Sequence, residues 1–201
     1  MRTDGKIAGS KIVAIASSTG GPKALQQVIA KLPANLSSPV LIVQHMPAGF
    51  TEALACRLDN LSELSVKEAA DGDIIAPGNV YLARGGVHME VVTKPSGQHV
   101  IRYSDKPPRE GVRPCANYMY ESLADSKFDE IICVVMTGMG ADGTEGISNL
   151  KLKKKVTVFS QNEETCTVYG MPRSVVHAGL SKKELPLEEL ANEIIKNVGV
   201  K

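Results

Sequence analysis

The chain has 201 residues, 43% of them hydrophobic, and carries 23 Lys and Arg against 22 Asp and Glu. That length and apolar content suffice for one ordinary globular core. The charge balance leaves no global field that would draw the protein onto nucleic acid or an anionic membrane.

In chain order, the opening MRTDGKIAGS mixes glycine and charge, lacks the apolar core of a secretion signal, and reads as a linker or tail over residues 1–10. An apolar run at 11–17 then predicts a buried strand. Residues 22–32 predict a helix with Leu25, Val28, Ile29 and Leu32 on one face and Pro22 in the first turn, where its missing N–H costs nothing. A second strand is expected at 39–44 and a helix at 48–61. Between 79 and 103 the pattern changes to alternation, with turn residues at Gly85-Gly86 and Pro95-Ser96-Gly97, which predicts a small antiparallel β insert. A third strand at 130–136 leads into a helix at 141–151, a fourth strand lies at 156–160, and an amphipathic helix closes the chain at 187–198. Short apolar runs alternating with amphipathic ones predict strand–helix–strand units packed as a mostly parallel sheet. Residues 11–201 are therefore expected to form one α/β domain carrying an antiparallel hairpin.

No apolar stretch approaches the roughly 20 residues needed to cross a bilayer as a helix. The four cysteines, Cys56, Cys115, Cys133 and Cys166, show neither a C-x-x-C pair nor structural zinc spacings. They read as buried thiols of a cytosolic protein, so a cytoplasmic location with no membrane insertion and no metal is expected.

In a parallel α/β sheet, ligands meet the loops at the carboxyl ends of the strands. Three predicted strands end in reactive groups: Ser18 after the first, His45 after the second, and Asp142 in the run Gly138-Met139-Gly140-Ala141-Asp142-Gly143 after the third. A serine hydroxyl needs an imidazole to take its proton, and the imidazole needs a carboxylate to hold its tautomer and stabilise its charged form. Thr19-Gly20-Gly21 adds a tight turn at a helix start, where free N–H groups can stabilise an oxyanion and glycines let a substrate approach the backbone. Other readings stay open here. Ser-Thr before Gly-Gly also caps helices, His45 could bond only to backbone, and Asp142 could be an acid in its helix's first turn. The glycine run is also a literal G-x-G-x-x-G, with Glu163 or Glu164 near the spacing of a dinucleotide-binding acid.

The segments AIASSTGGPKAL, IVQHMPAGFTEALACRL, EAADGDIIAPGNVYLARGGVHM, VVMTGMGADGTEG and VYGMPRSVVHAGL closely resemble, in order and spacing, the catalytic domain of CheB-type chemotaxis receptor methylesterases. The resemblance covers residues 11–198. It implies a doubly wound α/β sheet with helices on both faces and a hairpin insert. It also implies a hydrolase that removes methyl groups from glutamate esters on the cytoplasmic helices of chemoreceptors, releasing methanol, and often deamidates receptor glutamines. By the same resemblance, Ser18 is the nucleophile, His45 the base and Asp142 its partner, Met139 N–H is an oxyanion donor, and no cofactor is required. A receiver domain typically accompanies this domain and blocks its site until phosphorylated, so a receiver in cis or in trans is an expected partner.

This chain departs from the family at several places. Ala16-Ser17 stands where the family usually has Gly-Ala; Ser17 should point to the other side of the strand from Ser18 and serve packing or capping. Cys115-Ala116-Asn117 stands where the family commonly has Ser-Val-Asp, which would alter specificity if the segment touches substrate. Cys166 replaces a small polar residue and is read as inert rather than nucleophilic. His88 reads as a hydrogen-bonded structural histidine, and His99 and His177 show no evident partner. Lys151, Lys153, Lys154 and Lys155 are read as cations at a helix's negative end rather than as a docking patch.

Overall fold

A computed structural model describes residues 10–200, so the expected linker, apart from Ser10, lies outside the described residues. The elements run β1 (Lys11–Ser17), α1 (Gly21–Ile29), β2 (Val40–Gln44), α2 (Thr51–Asp59), β3 (Ser65–Glu68), β4 (Asn79–Leu82), β5 (His88–Thr93) and β6 (His99–Ser104). They continue with α3 (Ala116–Ser122), β7 (Glu130–Val135), α4 (Thr144–Lys151), β8 (Lys155–Gln161), α5 (Met171–His177), β9 (Lys183–Leu185) and α6 (Leu187–Val198). Seven strands pair in parallel in the order β3-β4-β2-β1-β7-β8-β9, while β5 and β6 form a separate antiparallel pair.

The two-residue period of β1 divides the core between two layers. Val13 and Ile15 face a cluster with Leu25 and Val28 of α1, Leu54 and Leu58 of α2, and Leu190 and Ile194 of α6. Ile12, Ala14 and Ala16 face Met119 and Tyr120 of α3, Ile147 and Leu150 of α4, and Met171 and Val175 of α5. Helices therefore cover both faces, and the hairpin packs its Met89, Val91 and Ile101 into the second layer. Leu25 is fully buried, and truncating such a residue to Ala costs about 2–5 kcal/mol. Among the described residues no helix is long and apolar enough to cross a membrane.

Two expectations need correcting. The span 79–103 is not one antiparallel insert: Asn79–Leu82 joins the main sheet in parallel beside β2, and only His88–Thr93 and His99–Ser104 form the hairpin. The buried triplet Val80, Tyr81 and Leu82 belongs to a strand covered on both faces, which short alternation misread. Of the four lysines placed at a helix end, only Lys151 lies in the last turn of α4. Lys153 faces Asp125, Lys154 donates to the Ser126 and Phe128 carbonyls, and Lys155 opens β8 and pairs with Glu130.

After β1 the chain builds outward on one side to β3, then returns to β7 on the other side of β1. Strand order thus reverses at β1, and in sheets of this kind the carboxyl ends of the strands beside such a reversal are where ligands bind.

Candidate active site

Register brings the three strand ends together. Ser17 is aligned with Gln44, and Ala16 with both Val43 and Val135, so Ser18, His45 and the loop beyond Val135 emerge side by side. The Ser18 N–H donates to the Thr137 carbonyl at 2.9 Å, and the His45 N–H to the Ser17 carbonyl at 3.0 Å. Gly138 closes this junction: a Cβ there would stand 2.7 Å from the Ser18 Cβ and 2.4 Å from the Met171 sulfur.

Ser18 is partly exposed, and Thr19 is exposed. The N-cap of α1 is Gly20, in the left-handed region at φ 82°, with no side-chain cap hydrogen bond. The Ser18 hydroxyl is therefore not spent on capping. It makes no hydrogen bond among the described residues, to His45 or to any other group. The N–H groups of Thr19 and Met139 likewise have no acceptor among the described residues, whereas the Thr19 carbonyl is held by the Thr137 hydroxyl at 2.9 Å.

His45 Nε2 lies 2.6 Å from Asp142 Oδ2. An ionised carboxylate can only accept, so Nε2 carries the hydrogen and the neutral ring keeps its lone pair on Nδ1. Of the expected hydrogen-bonded line, the His45–Asp142 half is formed and the Ser18–His45 half is not. Hydrogen bonds of this kind commonly tighten only once a substrate is bound.

Asp142 is 2% exposed and precedes α4, whose N-cap is Gly143, so it is not a first-turn acid. Four donors converge on its carboxylate. Oδ2 accepts from His45 and from the Ala116 N–H at 2.6 Å; Oδ1 accepts from the Asn117 N–H at 2.9 Å and the Cys115 thiol at 3.0 Å. Burial by itself raises its pKa, but the hydrogen bonds and charge of His45, with the donors from Ala116 and Cys115, outweigh it and hold the carboxyl below the usual carboxylate value.

The segment Cys115-Ala116-Asn117, expected to bear on specificity if it touched substrate, is fully buried behind Asp142. Sequence reasoning missed this brace. The Asn117 Oδ1 also accepts from the N–H groups of Gly143 and Gly146, at 2.9 and 2.7 Å, fastening the start of α4 to α3. Burial, with the neighbouring Asp142 charge, pushes the Cys115 thiol far above its ordinary pKa. His88 is buried and bonded through both ring nitrogens, to the Cys115 N–H at 3.1 Å and the Pro107 carbonyl at 3.2 Å.

The other cysteines and histidines need adjustment. Cys133 is buried, but Cys56 is exposed and Cys166 only partly buried; burial pushes the Cys166 thiol up to about 11. His99 has partners after all, accepting the Lys127 N–H at 2.9 Å and stacking on Phe128. His177 lines an open cleft of about 870 Å³ beside the site, together with Glu110, Met139, Tyr169 and Arg173. Met139 itself is 71% exposed. The G-x-G-x-x-G run turns its acid inward onto His45, and the glycines shape that loop, with Gly140 and Gly143 at φ 92° and 100°.

Comparison with known proteins identifies the relatives of this chain. Residues 13–194 match the family described as CheB methylesterase. A protein-glutamate methylesterase/protein-glutamine glutaminase of Geobacillus kaustophilus is 45% identical over 188 residues, which are 94% of this chain and 54% of that protein. Its counterpart from Photobacterium profundum is 47% identical over 196 residues, 96% of this chain and 49% of that protein. The chain thus spans about half the length of the curated relatives it matches. The crystal structure of the Thermotoga maritima CheB methylesterase catalytic domain superposes with a TM-score of 0.90 at 40% identity, covering 95% of this chain and 100% of that one. With the family matched across nearly its whole length and the same fold found in a solved member, the chain belongs to the CheB methylesterase family.

Proposed function

We propose that the chain is a serine hydrolase that removes methyl groups from glutamate methyl esters on the cytoplasmic helices of chemoreceptors, and that it deamidates receptor glutamines by the same chemistry. Ser18 is the nucleophile, His45 the general base and acid, and Asp142 the group that orients and stabilises the imidazole. The observation that carries the reading is the 2.6 Å contact from His45 Nε2 to a buried Asp142, at the rim where an uncommitted Ser18 hydroxyl stands. It fixes which ring nitrogen is basic and supplies a fixed negative charge for the imidazolium.

His45 Nδ1 takes the proton of Ser18 as its oxygen attacks the ester carbonyl. The oxyanion accepts from Met139 N–H and from Thr19 N–H, both without internal partners; one such donor is worth about 10²–10³ in rate. Gly20 and Gly21 keep the turn beside the nucleophile narrow enough for a protein substrate. His45 returns the proton to the departing methanol, or to ammonia when the substrate is an amide. Water, deprotonated by the same imidazole, then cleaves the glutamyl–serine ester and releases the carboxylate. The sequence resemblance supports a cytoplasmic setting and a receiver domain, in cis or in trans, as the regulating partner. The residues named supply the whole reaction, with no cofactor.

The test is methanol release from membranes bearing methyl-esterified chemoreceptors. Turnover there supports the reading. Hydrolysis of a generic small ester with no release from receptors would replace it with an esterase of another substrate.

A further inference from the structure

Ser17 and Gln44 stand where two central strands end, and the mechanism leaves both unused. They are aligned across β1 and β2 and lie two residues beyond Ile15 and Ile42, on the face that packs against α1. The period of the strand would place apolar side chains at both positions. Instead both are polar and buried, at 0% and 2% exposure.

Their hydrogen bonds form one connected set. The Ser17 hydroxyl donates to Gln44 Oε1 at 2.7 Å. Gln44 Nε2 donates to the Ser18 carbonyl at 2.9 Å and to the His45 carbonyl at 3.1 Å. An amide nitrogen has two hydrogens, and here each is given to the backbone of one reacting residue. Rotating the amide by half a turn would set its oxygen against two carbonyl oxygens, so the two carbonyls fix its orientation, and the Ser17 hydroxyl, able to donate or accept, donates to the oxygen they leave facing it. Gly21 leaves the space, since a Cβ there would lie 1.9 Å from Gln44 Oε1 and 2.9 Å from the Ser17 Cβ.

We infer that Gln44 is a positioning residue that ties the backbones of Ser18 and His45 to each other, and that Ser17 acts through it by holding its amide oxygen in place. The inference rests on the reading of Ser18 and His45 as nucleophile and base. Its physical logic is that these residues sit on separate strand ends with no side-chain hydrogen bond joining them in the free protein. Their spacing is therefore set by backbone, and Gln44 bridges the two backbones at the residues concerned. A displacement of about 1 Å between reacting groups can cost about 10²-fold in rate. The Ser17 hydroxyl supplies a partner to the amide oxygen that an alanine could not.

The experiment measures kcat and KM for methanol release from methylated receptor membranes with the full chain and its Ser17→Ala, Gln44→Met, Ser17→Ala/Gln44→Met and Ser18→Ala variants. Gln44→Met keeps the side-chain length and removes both donors. It is expected to lower kcat about tenfold or more with KM within about threefold, because the loss falls on alignment rather than on binding. Ser17→Ala is expected to lower kcat by a smaller factor. The double variant should match Gln44→Met alone, since a residue acting only through Gln44 has nothing left to act on. Wild-type kcat in Gln44→Met, or multiplicative losses in the double variant, would overturn the inference. Should Gln44→Met not fold, Ser17→Ala decides alone: a fall in kcat at constant KM supports the inference, and unchanged kcat overturns it. Ser18→Ala separates the two levels. If it turns over like the wild type, the nucleophile assignment is what fails; if it is inactive while Gln44→Met keeps the wild-type kcat, only the positioning role fails.

Discussion

His45 gives its Nε2–H to Asp142 at 2.6 Å, which leaves Nδ1 as the ring's only basic nitrogen. Asp142→Asn puts an amide where four donors converge, two on each oxygen, so two donors must face an NH₂ group whichever way it turns, and the imidazole loses the negative charge that stabilises its protonated form. The expected result is a fall in kcat of about 10⁴-fold, the size seen when the carboxylate of such a triad is replaced by its amide, with KM little changed. Steady-state kinetics on methylated receptor membranes check it; a loss confined to KM would contradict it.

The same carboxyl links stability to acid. Its pKa in the folded state is held below the unfolded value, its burial being outweighed by His45, the Ala116 N–H and the Cys115 thiol. A depressed carboxyl stabilises the fold fully above its unfolded pKa, roughly 3.9, and that contribution is lost as pH falls through the folded value. Urea midpoints measured from pH 6 down to pH 2 should therefore fall more steeply for the wild type than for Asp142→Asn. Glu121 and Glu130, also depressed, are common to both proteins and cancel in the difference. Parallel curves would rule out this linkage.

Cys115 is expected to act through its S–H and not as a nucleophile. Cys115→Ser keeps a donor to Asp142 Oδ1 and should stay within about threefold of wild-type kcat. Cys115→Val removes it, leaves that oxygen with the Asn117 N–H alone, and should cost about 1–3 kcal/mol of stability, as for a hydrogen bond to a charged group. Thermal unfolding and kcat of the two variants test this, and equal behaviour of Ser and Val would contradict it.

Gly138→Ala should strike both chemistry and fold, because the added methyl meets the Ser18 Cβ and the Met171 sulfur inside contact distance. Forced overpacking of this kind costs about 1–3 kcal/mol. Displacement of Ser18 should also lower kcat by tenfold or more. Gly111→Ala, where no atom lies within 4 Å of the added group but φ is 75°, separates backbone strain from this steric clash: it should lose stability while kcat stays near wild type.

Much of this arrangement is legible in the sequence. The apolar runs that end at Ser17, Gln44 and Met136 mark strands covered on both faces, and in a parallel sheet that alone places Ser18, His45 and Asp142 on one rim. The amphipathic period of 187–198 gave α6 with both ends right. Ser65–Glu68 and Lys183–Leu185 escaped because edge strands of three or four residues, most of them charged or exposed, carry too little periodicity to register. The role of Cys115, Ala116 and Asn117 could not be read because it depends on contacts with a residue 25 to 27 positions away, and burial of that turn follows from packing between α3 and α4. The family resemblance flagged those positions as unusual but carried no sign that they face inward.

The central claim, that Ser18 is the nucleophile, is tested most directly by methanol release from methylated receptor membranes by Ser18→Ala, with circular dichroism and the thermal midpoint confirming an intact fold. The expected result is a fall in kcat of about 10⁶-fold, the scale for removing such a nucleophile, which places release at the background of untreated membranes. Undiminished methanol release by folded Ser18→Ala would contradict it.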